Sequence, residues 1–251
     1  MPSSAQYPQR AQLGVMSNNY FDFKKMRIEQ ANCAMKVSTD ACIQGAWTPI
    51  EASWNKGLDI GTGTGLLSLM LAQRSDCLHI DALEIDTSAA QQAAINVHNS
   101  PFGPQINVQH TDARKWETNK LYDLIICNPP FFSKSLKGAD DQRNLARHND
   151  ACSFIDLVKL IEKKLDNNGQ ASILLPCTEL KRWEEAQEQS SLKIHQNLWI
   201  KPFAHSKANR VIQILGQSIR EIDNKELVIY ESAKQYTAAF TNLMHPFYLH
   251  L

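Results

Sequence analysis

The residues with the clearest chemical potential lie in Tyr122-Asp123-Leu124-Ile125-Ile126-Cys127-Asn128-Pro129-Pro130-Phe131-Phe132, a short apolar run closed by Asn and two prolines. Prolines cannot continue a central strand, so the run reads as a buried strand that stops in a stiff polar corner. The Asn128 carboxamide oxygen and the Pro129 carbonyl can both accept hydrogen bonds from the two N–H bonds of an aromatic amino group. An amine held this way has its lone pair drawn out of conjugation and aimed at an electrophile. Phe131 would stack on the ring that carries the amine. Taken alone, Asn128, Pro129, Pro130 and Phe131 also describe an ordinary turn with an aromatic residue in the core.

A second stretch shifts the balance. Leu58-Asp59-Ile60-Gly61-Thr62-Gly63-Thr64-Gly65 precedes LLSLMLAQR on a helical period, so a strand leads through a glycine turn into a helix. The spacing is G-x-G-x-G, not the G-x-G-x-x-G of dinucleotide sites. Asp59 at the strand end repels a pyrophosphate and favours a cationic ligand. S-adenosylmethionine, with an ammonium and a sulfonium, fits Asp59, Gly61, Gly63 and Gly65 better than a nicotinamide dinucleotide.

These groups need a sheet to bring them together. A strand over His79 to Glu84 ends in Glu84 about twenty residues past the glycines, where an acid takes both ribose hydroxyls. A helix follows over Thr87 to Asn99. The strand over Ile106 to His110 leads to Asp112, placed to accept from an adenine amino group. Either acid alone is better explained as a solvated loop residue. The strand-end positions of Asp59, Glu84, Asp112 and Asn128 point to one ligand-binding edge.

The remaining elements frame that edge. Tyr20 to Gln30 is expected as a short hairpin displaying Lys24, Lys25 and Arg27. Ser38-Thr39-Asp40 can cap a helix over Ala41 to Trp47. Lys36, Thr39 and Asp40 would instead line the site if that helix enters beside the cofactor. Phe132 to Asp150 is a long polar loop with Lys134, Lys137, Arg143, Arg147 and His148, read as a substrate-gripping lid. A helix over Ser153 to Leu165 stops before Asn167-Asn168-Gly169, and a strand over Gln170 to Leu175 follows. Further on come a helix over Thr178 to Gln189 and strands near Lys193 to Ile200, Arg210 to Gln217 and Leu227 to Tyr230. Between Lys201 and Arg220 four Lys or Arg residues occur with no acid. Contact with a phosphate backbone and a solvated loop face both account for that bias. The aromatic-rich ending, YTAAFTNLMHPFYLHL, is expected to dock on the core.

The totals set outer bounds. A chain of 251 residues with 43% hydrophobic content suits one large α/β domain with additions. Lys plus Arg and Asp plus Glu both number 26, so any nucleic-acid surface must be local. No apolar run reaches the roughly 18 residues that span a bilayer, and the expectation is a cytoplasmic protein. The six cysteines are scattered without metal-ligand spacing, so no metal is expected.

Several segments together carry a resemblance: CAMKVSTDACIQGAW (33–47), LDIGTGTGLLSLMLAQR (58–74), the acid of DALEID (81–86), Asp112, NPPF (128–131), RNLAR (143–147) and the aromatic ending. From about residue 20 to 251 the chain resembles the bacterial valine-tRNA adenine N6-methyltransferases, which modify the adenine 3′ of the anticodon. Two departures stand out: Ser38 where the family's pattern has Gly, and Phe131 where Tyr is commoner. The resemblance implies a Rossmann-like class I methyltransferase fold, a seven-stranded, mostly parallel sheet with helices on both faces and a final antiparallel strand completing its edge. Residues 1–18 are polar and poorly patterned and are expected as a mobile N-terminal arm, followed by an extension at 19–48 packed beside the site and a methyltransferase domain at 49–251. The resemblance further implies S-adenosylmethionine as cofactor and a tRNA anticodon loop as partner; the sequence does not fix the oligomeric state, and a monomer is favoured. On this reading Asn128, Pro129, Pro130 and Phe131 are catalytic, and Asp59, Gly61, Gly63, Gly65, Glu84, Asp112, Asn128 and Thr39 bind the cofactor. Lys36, Lys134, Arg143, Arg147, Lys207 and Arg210 are the candidate RNA contacts. Guanine-N2 methylation of ribosomal RNA and glutamine-N5 methylation of a protein share the chemistry. A non-catalytic RNA-binding protein of the same fold is the alternative of another class.

Overall fold

The computed structural model describes residues 18–129 and 153–251. A nine-stranded sheet forms its centre, in the order β11-β10-β8-β9-β7-β6-β3-β4-β5. Its strands are β3 (Lys56–Ile60), β4 (His79–Glu84), β5 (Ile106–His110), β6 (Tyr122–Cys127), β7 (Leu165–Pro176), β8 (Lys193–Phe203), β9 (Arg210–Gly216), β10 (Asp223–Ser232) and β11 (Gln235–Tyr236). Strands β5-β4-β3-β6-β7 pair in parallel. The sheet has nine strands where the resemblance implied seven: β10 covers the run expected at Leu227 to Tyr230, and β11 is added beyond it.

The final strand, β11, runs antiparallel to β10 at the edge of the sheet, as expected, and a second antiparallel strand lies within the sheet. β9 lies between β7 and β8 and runs antiparallel to both. The crossover through α5 (Leu180–Gln187) sets β8 down one strand beyond β7, and the chain turns back at once to fill the gap. β10 then pairs in parallel with the far side of β8. A polar chain fixes this register: Trp183 Nε1 donates to Gln213 Oε1 (2.8 Å), Gln213 Nε2 to Asn197 Oδ1 (3.1 Å), and Asn197 Nδ2 to Asn224 Oδ1 (2.9 Å). Each buried amide is thereby satisfied across three neighbouring strands.

Alternation along the strands creates two cores, one on each face. In β6, Leu124 and Ile126 join the core under α1 (Thr39–Trp47), α2 (Leu66–Ala72) and α6 (Ala238–Met244). Ile125 and Cys127 join the opposite core under α4 (Phe154–Lys164) and α5, where Trp183 is fully buried. Truncating such a Trp to Ala costs about 3–5 kcal/mol.

Several helix starts follow directly from sequence. Asp86 caps α3 (Thr87–His98) through Ala89 N, and Ser153 and Asp156 form a reciprocal capping box on α4. The Asn167-Asn168-Gly169 stop signal does not make a separate turn. Helix α4 passes directly into β7 at Leu165, and a register shift between Tyr122 and Leu124 of β6 absorbs the extra residues. Gly169 is needed there because a Cβ would lie 2.7 Å from the Tyr122 carbonyl oxygen.

The N-terminal hairpin of β1 (Tyr20–Asp22) and β2 (Arg27–Glu29) forms as expected. The chain's ending docks against it through a bridge between Phe23 and Tyr248. Asn96 of α3 ties this hairpin to the glycine turn: its Oδ1 accepts from Glu29 N (2.9 Å), and its Nδ2 donates to the carbonyls of Glu29 and Thr64 (both 2.8 Å). Among the described residues no helix is long and apolar enough to cross a membrane.

Candidate active site

The parallel strands end along one edge of the sheet, and that edge collects the chemistry. Gly61, Gly63 and Gly65 between β3 and α2 have φ values of 73°, 57° and 82°. This left-handed region is open to glycine without the Cβ clash that other residues meet. A Cβ added at Gly61 or Gly63 would touch nothing within 4 Å, so the turn presents bare backbone to open space. That leaves room for a ligand to approach the main chain.

Asp59 faces α2 and is fully buried. Its Oδ2 accepts from Thr62 Oγ1 (2.7 Å), Ser68 Oγ (2.7 Å) and Ser68 N (3.2 Å), so the carboxylate clamps the glycine turn to the helix. Its Oδ1 is buried without a partner. Burial pushes the carboxyl up to about 6, against the hydrogen bonds from Thr62 and Ser68. A buried anion of this kind gains from a cationic ligand. Glu84, also buried, accepts from Gly63 N (2.8 Å) and Asp86 N (3.0 Å) and holds the turn from the other side. Ile85, beside it, is 48% exposed, an apolar side chain bared between β4 and α3. Asp112 lies beyond β5 with both oxygens engaged by Arg114, at 2.7–3.1 Å. The hydrogen bonds from the Arg114 guanidinium hold it below the usual carboxylate range. Arg114 was not expected at this corner.

Asn128 stands one step past Cys127, which pairs with Ile60. The register therefore sets Asn128 opposite Gly61, about 4.8 Å away at ordinary strand spacing. Its carboxamide oxygen is buried and has no hydrogen-bond partner. An unmet buried acceptor costs about 1–3 kcal/mol, which a donor in the cleft would recover. Pro129 follows at the same edge, whereas Pro130, Phe131, Lys134, Arg143 and Arg147 lie outside the described residues.

The corner is supported from behind by α1. Fully buried Gln44 donates through Nε2 to the Cys127 carbonyl and the Ser172 carbonyl, both at 3.0 Å. Thr48 and Ser172 share a 2.7 Å hydroxyl hydrogen bond beneath it. Sequence reading missed Gln44 because a Gln inside an apolar helix carries no local signal of its partner. Ser38 adopts φ −125°, ψ 151° and caps α1 through Ala41 N, so this position asks for no glycine backbone. The departure from the family's pattern is locally neutral.

Thr39 and Asp40 sit at the lip of the same edge with other partners. Thr39 hydrogen-bonds the Tyr248 hydroxyl. Asp40 pairs with Arg210 Nε at 3.0 Å, which places the guanidinium against α1 at the start of β9. Lys36 and Lys207 are exposed. Among the described residues no three His, Cys, Asp or Glu side chains gather as metal ligands.

Asp59 and Asn128 each leave a buried oxygen unmet, and the glycine turn leaves open space. Those features fit a cationic cofactor beside an amine-bearing acceptor. Comparison with known proteins agrees. Residues 48–149 match the methyltransferase small domain family. Among solved structures, a predicted O-methyltransferase from Agrobacterium tumefaciens superposes with a TM-score of 0.65 at 16% identity, covering 83% of this chain and 96% of that one. A glycopeptide N-methyltransferase complexed with sinefungin gives 0.51 at 12% identity, covering 72% and 86%. At such identities these establish the fold: a class I methyltransferase sheet. The sequence relatives are much nearer. The tRNA1(Val) (adenine(37)-N6)-methyltransferase of Cytophaga hutchinsonii is 38% identical over 242 residues, spanning 94% of this chain and 100% of the relative. That of Bacteroides fragilis is 40% identical over 240 residues, spanning 93% and 99%. With end-to-end likeness at this level, a shared fold and an intact strand-end acid set, the chain belongs to the tRNA1(Val) (adenine(37)-N6)-methyltransferase family.

Proposed function

We infer that this protein transfers the methyl group of S-adenosylmethionine to the N6 amine of adenine 37 in a valine tRNA. The observation that carries the reading is the buried, unpartnered Asn128 oxygen set opposite the glycine turn. An amine donor there meets its acceptor within one strand spacing of the cofactor turn. The relatives' names favour adenine in tRNA over guanine in ribosomal RNA or glutamine in a protein.

S-adenosylmethionine supplies a methyl group on a positively charged sulfur that leaves as a neutral thioether. We assign the backbone of Gly61, Gly63 and Gly65 to close contact with it, the Asp59 charge to its cationic end, and Glu84 to its ribose. Asp112 takes the adenine amino group, with Ile85 beside it as apolar surface, and Thr39 borders the pocket. The Asn128 oxygen and the Pro129 carbonyl accept the two N–H bonds of the target amine, while Pro130 stiffens the corner and Phe131 stacks on the base. Held so, the nitrogen directs its lone pair along the line of displacement. With the cofactor bound, the N–C bond would form as the S–C bond broke, and the amine would then shed one proton to water. No strong base is required, because the amine becomes acidic only as it is alkylated. Orientation of this kind supplies on the order of 7–11 kcal/mol of barrier reduction. The base must leave its stack to reach the corner, which costs least in an anticodon loop.

We take residues 49–251 as the methyltransferase domain and 19–48 as an extension packed on it. The bonds from Gln44 to Cys127 and Ser172 support that packing. A cytoplasmic monomer gripping tRNA through Lys36, Lys207 and Arg210, with Lys134, Arg143 and Arg147, completes the proposal. The test is labelled methyl transfer onto total tRNA, ribosomal RNA and protein fractions from a strain lacking the gene, followed by nucleoside mass mapping. Label in N6-methyladenosine of tRNA is expected; label confined to either other fraction overturns the assignment. Asn128→Ala should lower kcat at least about a hundredfold and leave cofactor affinity intact.

A further inference from the structure

The described charges divide the catalytic edge into two halves. Acids Asp59, Glu84, Asp86 and Asp112 crowd the β3–β5 side, where a cationic cofactor belongs. On the β7–β10 side the segment from Lys201 to Asn209 carries Lys201, His205 and Lys207 and no acid. Lys201 is paired with Glu226 of the neighbouring strand, and Lys207 is exposed.

This second half also carries an aromatic ladder. His205 lies stacked on Phe203, with centroids 5.6 Å apart and planes 12° apart. Phe203 meets Tyr230 at 5.7 Å, Tyr230 stacks on Tyr236 at 5.1 Å, and Tyr236 stacks on Phe240 at 4.6 Å. Phe240 is fully buried, so the ladder is rooted in the core under α6 and surfaces at His205 in the β8–β9 turn. Cross-strand packing accounts for the rooted end. It does not account for a stacked ring pair whose outer member is exposed beside Lys207.

We propose that Phe203, His205 and Tyr230 form a stacking platform for unpaired bases of the RNA substrate, with Lys207 on the adjoining phosphates. The proposal rests on the tRNA reading above and adds the surface on which that RNA is held. Geometry supports the span. β8 stands three places from β6, about 14 Å across the sheet, and Phe203 lies five residues beyond Leu198, the residue level with Asn128, so the two are about 22 Å apart at ordinary strand spacing and rise. At roughly 3.4 Å per stacked nucleotide, that is about six or seven positions along one strand from the target adenine. Flat aromatic faces read any base, and a lone lysine adds charge without sequence preference. The platform therefore grips single-stranded RNA, and the choice of base stays with the amine corner.

The test uses the full chain and unmodified valine tRNA transcript. His205→Ala removes an exposed ring and Phe203→Leu removes the one beneath it. Each should weaken tRNA binding by about fivefold or more and raise KM for tRNA equally. Cofactor affinity, Tm and kcat at saturating tRNA should stay within twofold. His205→Tyr, which restores a stacking face, should recover tRNA affinity, and Lys207→Gln should lower the slope of log Kd against log salt by about one. Unchanged KM and Kd for tRNA in His205→Ala and Phe203→Leu overturn the platform. If wild type methylates no tRNA at all, the functional reading fails instead, and the two failures are told apart by that control. A Phe203→Leu chain with lowered Tm leaves His205→Ala and His205→Tyr to decide.

Discussion

Replacing Asp59 with Asn separates two demands made on one buried carboxylate. Burial raises this group from 3.8 to about 6, so the ionised form costs roughly 3 kcal/mol in the folded protein without ligand. The sign follows from the folded state holding its proton more tightly than the unfolded chain. The group's favourable contribution is full below pH 3.8 and is lost as pH rises through about 6. About 1.4 kcal/mol of that loss develops between pH 5 and pH 8. Asparagine does not ionise. The stability of Asp59→Asn relative to wild type should therefore improve by about 1.4 kcal/mol from pH 5 to pH 8, whatever constant penalty its buried amide carries. In a protein of this size that is about 3–6 °C in relative Tm. Cofactor affinity should move the other way. By calorimetry at pH 8 the variant should bind S-adenosylmethionine at least about tenfold more weakly, since one desolvated charge interaction is worth more than 1.4 kcal/mol. Wild-type affinity should fall toward that of the variant as pH drops through about 6. A relative Tm that does not change between pH 5 and 8 would refute the buried-anion argument, and equal affinities at pH 8 would remove Asp59 from the pocket.

Three further outcomes follow from neighbouring geometry. Gln44→Leu leaves the Cys127 and Ser172 carbonyls without their donor, so kcat should drop about tenfold or more while cofactor Kd, measured by calorimetry, holds. A matching loss of cofactor binding would show that Gln44 supports the whole edge, not the Asn128 corner. Gly63→Ala should cost about 1–2 kcal/mol of stability at φ 57° by thermal melts and weaken the cofactor further, because the added methyl occupies the open space over the turn. Unaltered affinity would place the cofactor elsewhere. Asp81 accepts from Tyr122 Oη (2.8 Å), Lys120 Nζ (2.9 Å) and Asn107 Nδ2 (2.9 Å), far from the catalytic edge. Asp81→Ala should destabilise by about 2–3 kcal/mol in urea titrations with kcat preserved in the folded enzyme. Burial alone would raise Asp81, but these hydrogen bonds hold it below its ordinary value. Its contribution is thus present above pH 3.8 and lost on acidification, opposite to Asp59.

The strands and helices of the cofactor side were legible because each β–α step there is short and strongly patterned. Period-two apolar runs, a glycine turn and capping residues are all local signals. After β7 the strands were legible too, but their order across the sheet and their partners were not. Gly169 reads as a helix stop in the chain, yet its role is to let the Tyr122 carbonyl approach. Arg210 reads as a free cation, yet it is paired with Asp40, 170 positions earlier in the chain. Phe203 and Tyr230 carry no signal apart, and only the parallel pairing of β10 with β8 brings their rings into contact.

The chain alone determined which chemistry is present: the Asn-Pro-Pro corner, the glycine turn and the acids at strand ends, since each depends on residue type and short spacing. Tertiary structure decided which of those groups keep a free valence. Whether a carboxylate or amide oxygen is met depends on donors brought in from distant segments, as Lys120 and Tyr122 reach Asp81 from 39 and 41 positions away while nothing meets Oδ1 of Asp59 or Oδ1 of Asn128. Partner geometry of that kind is set by packing of the whole sheet and its helices, and no local window of sequence contains it.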